Sequence, residues 1–94
     1  LGLLDGLEAT THHGSIESLR SRSEKIRVHD DARFVDNGRI ITSAGVSAGI
    51  DASLHLVGRL LTSEAARSTA RYMEYDWRPE LMAEQSVQRA AGAR

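Results

Sequence analysis

Apolar residues recur along this chain with two different periods. Val46, Ile50, Leu54, Val57 and Leu61 return every three or four positions, as one face of a helix does, while Ser47, Asp51, His55 and Arg59 form a narrow polar stripe between them. A helix from Ser47 to Leu61 with so little polar surface is expected to be mostly buried. Thr62 is placed to cap a second helix, with Glu64 in its first turn, Ala66, Ala70 and Met73 facing inward, and an end near Met73 or Glu74. Upstream, Ser15 is positioned as N-cap of a short surface helix over SIESLRSRSEK, anchored by Ile16 and Leu19, with Glu17 and Glu24 on its polar side.

The second period is two. Branched residues in LEATTHH predict a short strand that ends in His12 and His13, and Ile26 and Val28 alternate with Arg27 and His29 in another. The clearest strand signal is ARFVDNGRIITSAG, where β-rich arms near Ala32 to Asp36 and Arg39 to Thr42 flank Asn37-Gly38. That pair adopts positive φ readily at both centres of a tight hairpin turn. Gly6 follows LGLLD as a left-handed residue follows the last turn of a helix, so the chain is expected to be a piece of something larger, cut upstream of Leu1. Near the other end, Pro79 stops the preceding helix, and the tail from Met82 to Arg94 is polar and Ala-rich, with one weak helical stretch and no strong anchor beyond Val87.

Composition narrows the function classes. The 94 residues, 40% of them apolar, suit one compact domain or part of one. Twelve basic against 13 acidic residues leave a net charge of -1, without the positive field that phosphate backbones require, so nucleic acid is not expected as a partner of this segment. No apolar run approaches the roughly 20 residues of a membrane span, and a cytoplasmic protein with no membrane partner is expected. There is no cysteine, which removes disulfides, thiolate metal sites and a cysteine nucleophile from this chain.

The remaining chemistry is sparse. On a strand, adjacent His12 and His13 point to opposite faces and make poor joint ligands for one metal. His29, Asp30 and Asp31 add a metal-like composition without metal-like spacing, and a solvated turn explains the aspartates equally well. One histidine at a strand exit can instead face a cleft, since ligands of open α/β sheets bind beyond the carboxyl ends of strands; a polar surface pair is the alternative. TSAGVSAGID joins a strand to a helix N-terminus with small residues, which either hold an anion or carbonyl oxygen or merely let the turn pack closely. It is no phosphate loop, because no lysine follows the glycines. Asp51 and His55 are spaced as a helix-surface pair, and a triad of Ser47, His12 and Asp51 is assembled only on paper.

The order GLLDGLEATTHH, RFVDNGRIITSAGVSAGIDASLHLV and AARSTARYMEYD resembles the C-terminal half of the ThiJ/PfpI family of the class I glutamine-amidotransferase-like superfamily. It is most similar to isonitrile hydratases and to the ligand-sensing domains of AraC-type regulators. The resemblance spans Leu1 to Asp76, and NGRIITSAGVSAGID is its most specific part. It implies a flavodoxin-like α/β sandwich, usually dimeric, with residues 1–78 as the C-terminal part of that domain and residues 79–94 as a tail, disordered or packed on a portion outside this chain. It also implies a cysteine nucleophile on a strand-to-helix elbow, helped by an early acidic residue, both upstream of Leu1. His12 matches the histidine that ends the strand near that cysteine, and Gly45, Val46 and Ser47 match a loop bordering the same pocket; they would line a substrate site and carry no catalytic step. No metal or other cofactor is implied. The expected function is that of a fragment of a cysteine-dependent hydratase or hydrolase (a lyase, if isonitrile hydratase-like) acting on a small carbon-nitrogen substrate, inactive alone. Its partners would be the N-terminal half of the same protein, a further copy and a small-molecule ligand. The alternatives are a ligand-sensing domain and a non-catalytic dimerisation module.

Overall fold

The computed structural model describes residues 2–88. Within them the chain is an α/β protein: small sheets carry helices packed along them. Strands β1 (Glu8–Ala9) and β2 (Arg27–Val28) pair in parallel, joined through helix α1 (Ile16–Arg20). Strands β3 (Phe34–Asp36) and β4 (Ile41–Ser43) form an antiparallel hairpin, and β5 (Val87–Gln88) adds to the other edge of β3 in parallel. Helices α2 (Val46–Leu60) and α3 (Ser63–Tyr72) pack against each other, and α4 (Met82–Gln85) precedes β5.

The hairpin forms where the sequence places it, but its turn is shifted by one residue. The Asn37 N–H donates to the Ile40 carbonyl, so Gly38 and Arg39 are the central pair, and only Gly38 has positive φ, at 95°. Positive φ at the first centre alone belongs to the other common tight hairpin turn, for which glycine is required there. Asn37 is thereby freed for a second task. Its side-chain amide donates to the Glu8 carbonyl at 2.7 Å and its Oδ1 accepts from the Glu8 N–H at 3.3 Å, so one amide ties β1 to the hairpin.

Both short N-terminal elements end early for the same physical reason, the competition of small polar side chains for backbone groups. The Thr10 hydroxyl donates to the His29 carbonyl at 2.7 Å, and the Thr10 N–H donates to the Thr42 hydroxyl at 3.0 Å. The strand therefore stops at Ala9, and His13–Ser15 form a 3-10 turn instead of continuing it. Helix α1 closes at Arg20, where the Ser21 hydroxyl donates to the Ser18 carbonyl and Ser23 Oγ accepts from the Lys25 N–H. Ser15 occupies the N-cap position, yet its side chain makes no capping bond. At the start of the described chain, Asp5 and Leu7 donate to Gly2 and Leu4 in successive tight turns, and Gly6 takes the left-handed conformation at φ 80°.

Helix α2 buries the middle of both its apolar row and its polar stripe. Asp51 is only 4% exposed and Leu54 3%, whereas Val46 is 87% and Leu61 69% exposed. The polar stripe faces the hairpin because β3 and its flank offer it charged partners, and Ala48 and Ala52, both buried, allow the helix to approach closely. On α3, the Thr62 side chain accepts from the Ala65 N–H at 2.9 Å, and Ala66 and Ala70 are buried; Ala66 lies near Gly58 of α2, but Met73 is exposed. The apolar centre is small: Phe34, Ala52 and Met82, with Ile41 against them. Met82 supplies an anchor from the tail, and the Arg33 backbone N–H donates to the Gln85 carbonyl. Residues 79–88 thus pack on this chain itself; the rest of the expected tail, 89–94, lies outside the described residues.

Candidate functional site

His12 follows β1 and reaches the turn that starts α2. Its Nδ1 accepts the Gly14 N–H at 3.0 Å, which makes it the N-cap of the 3-10 turn. Its Cδ2 lies against Gly45, where a Cβ on that glycine would sit 3.6 Å away. Gly45, in extended conformation, is the N-cap of α2, so the residue at the exit of β1 and the small-residue loop meet in space. His13 does not point to the opposite face. The strand has already ended, and the two imidazoles stack with centroids 4.3 Å apart and planes 29° from parallel. Among the described residues, no group of three or more His, Asp or Glu side chains could hold a metal ion.

Val46 projects into solvent beside this junction, while Ser47 turns away from His12. Ser47 Oγ accepts from the Arg33 guanidinium at 3.1 Å, and Arg33 bonds Asp51 at 2.8 and 2.9 Å. Tyr75 completes that network by donating its hydroxyl to Asp51 at 2.8 Å. Burial, then the Asp51 carboxylate, push the Tyr75 phenol above its ordinary value, against an opposing influence from Arg33. Ser47, His12 and Asp51 therefore form no triad. Nor do Asp51 and His55 pair along the helix.

His55 bonds Asp36 instead, at 2.6 Å, and Arg59 holds the same carboxylate at 3.0 Å while donating to the Gly38 carbonyl at 2.8 Å. Burial pushes the Asp36 carboxyl up, but hydrogen bonds from His55 and the Gly38 N–H, with the Arg59 charge, outweigh it and hold it below the ordinary carboxylate value. The His55 ring also tilts against Phe34, with centroids 4.8 Å apart. A third polar pair, His29 Nε2 with Glu8 Oε1 at 2.7 Å, spans the β1–β2 strands on one face. These clusters are already satisfied internally. They lock elements together rather than facing a cleft as free acid–base pairs.

An open cavity of about 820 Å³ lies alongside the histidine turn. Leu3, Leu4, Leu19 and Ile26 form its apolar wall, and Thr11 and Ser15, which flank the two histidines in the chain, contribute its polar edge. Of the residues singled out in the sequence, His12 and Gly45 are brought together, Val46 borders them, and Ser47 is withdrawn into the Arg33 network. Arg33, Asp36 and Tyr75 were missed. Asp36 had a readable signal, since an acid directly after Phe34 and Val35 on a buried strand needs partners; Tyr75 had none.

Compared with known proteins, the chain matches no protein-family model and no curated protein.

Proposed function

We propose that the chain is the C-terminal part of a ThiJ/PfpI-like domain with a flavodoxin-like core, in which His12, Gly45 and Val46 border a small-molecule pocket. Ser47, which the resemblance also assigns to that border, holds Arg33 in place behind it. The complete domain is a cysteine-dependent hydratase or hydrolase acting on a small carbon-nitrogen substrate such as an isonitrile or an amide. Its partners are the upstream half of the same protein and a second copy. The observation that carries this reading is the approach of His12 to Gly45: two stretches that the resemblance assigns to one pocket are far apart in the chain and adjacent in space. The parallel β1–β2 pair joined through α1 supports it further, because a strand-helix-strand unit is the element from which such sheets are built.

The nucleophile comes from outside these 94 residues, which contain no cysteine. In this reading the histidine beside that thiol orients it or the substrate and is not itself the nucleophile. Reading the coding sequence upstream of Leu1 tests the proposal. A cysteine on a strand-to-helix elbow, with an earlier acidic residue, is expected; an upstream segment lacking a cysteine overturns the enzymatic reading. In solution, the 94-residue chain alone is expected to turn over neither an isonitrile nor an amide. Measurable turnover by the isolated chain refutes the upstream nucleophile.

A further inference from the structure

We propose that His12 meets the ligand as a hydrogen-bond donor through Nε2–H and not as a base, so that the ligand presents an acceptor atom, a carbonyl oxygen or a terminal nitrogen, to this ring. The proposal rests on the reading of His12 as a pocket residue. A backbone N–H can only donate, and the Gly14 N–H points at His12 Nδ1 from 3.0 Å. Nδ1 must therefore keep its lone pair. A neutral imidazole has one donor nitrogen and one acceptor, which leaves the proton on Nε2.

The surroundings hold the ring in that setting. Turning it over about its bond to Cβ would exchange Nδ1 for Cδ2 and set a C–H against the Gly14 N–H. His13, stacked at 4.3 Å, restricts tilting, and the Cδ2 edge lies against the bare Cα of Gly45. Nε2 is then the ring atom left to bond a ligand. To accept a proton there as a general base, His12 would need the tautomer with the proton on Nδ1, and that tautomer breaks the cap of the 3-10 turn. The capping bond that shapes the turn thus also selects the chemistry of the ring.

Nitrogen NMR of the 15N-labelled 94-residue chain, at a pH where the ring is neutral, reads the tautomer directly. His12 Nε2 is expected at the shift of a protonated ring nitrogen and Nδ1 at that of a bare one; the reverse assignment overturns the proposal. Titration with acetamide, as an acceptor probe, is expected to shift the His12 Nε2 signal and that of the adjacent Gly45 amide saturably, and unchanged signals overturn the donor role. In His12→Asn the side-chain oxygen can still cap the turn, but no donor reaches the Nε2 position. This variant is expected to keep its circular dichroism and to lose the acetamide response of the Gly45 amide, and a retained response counts against the proposal. None of these readouts needs turnover. An upstream segment without a cysteine would remove the hydratase reading and leave the tautomer assignment standing, so the two failures are distinct.

Discussion

Asp36 joins β3 to α2 through one carboxylate that is 4% exposed and accepts from His55, Arg59 and the Gly38 N–H. Removing one partner of a buried ion pair leaves the others desolvated and unpaired, which typically costs about 3 kcal/mol or more. Asp36→Ala is therefore expected to lose about 3 kcal/mol in urea denaturation, and a loss under ~1 kcal/mol would show that the cluster is not what binds α2 to the hairpin. Because the folded carboxyl titrates below its ordinary 3.8, it contributes stability above that pH and loses it as pH falls through the depressed value. The stability gap between the wild type and Asp36→Asn is thus expected to narrow as pH falls below 3.8. Tyr75 has the opposite sign. Its phenol is raised above 10.0, so its contribution is full below that pH and is lost only as pH rises through the raised value, which Tyr75→Phe should abolish in an alkaline denaturation series. At this scale the sequence was partly legible. Asp36 stands beside Phe34 and Val35 as a visible anomaly, but its partners lie 19 and 23 residues away, beyond any local pattern.

Helix α2 shows that an amphipathic reading finds the element and its apolar anchor but not how its polar stripe is accommodated. The spacing of Val46, Ile50, Leu54, Val57 and Leu61 specifies a helix whichever side is buried, and the helix is there at Val46–Leu60. Hydrophobicity alone then turns the polar stripe outward. Here Arg33 and Asp36 provide ionic partners for Asp51, His55 and Arg59, so burying the stripe leaves no polar group unmet, and the ends of the apolar row are released to solvent. Leu54→Ala is expected to cost about 2–4 kcal/mol, whereas Val46→Ser should stay within about 0.5 kcal/mol. Comparable losses from the two would show that the start of the apolar row is buried as well. The hairpin was more legible, since Asn37-Gly38 marks a turn by local chemistry. Only the single-residue offset escaped, because the Asn37 amide is drawn off to Glu8, 29 residues away in the chain.

For the whole molecule, closure depends on the C-terminal segment. Met82 is one of the few large side chains in the centre, and β5 completes the sheet on β3. Met82→Ala is expected to destabilise the chain by about 2–4 kcal/mol, and an unchanged denaturation midpoint would show that residues 79–88 are dispensable. The centre itself is small, with Phe34 and Val35 the largest fully buried side chains, while Val46, Leu60 and Leu61 remain exposed. No helix of the described residues is long and apolar enough to cross a membrane.

Local chemistry settled Gly6 and Gly38 at positive φ, Thr62 capping α3, the existence of the hairpin and the helical spacing of α2. Those features depend on interactions within a few residues, which composition and periodicity record. The ending of β1 at Ala9, the stacking of His12 on His13, the inward turn of the α2 polar stripe and the recruitment of Met82 were decided only in three dimensions. Each depends on a partner distant in the chain or on side chains competing for backbone groups, and the burial of a charge is tolerable only when the fold has already brought its counter-charge within reach.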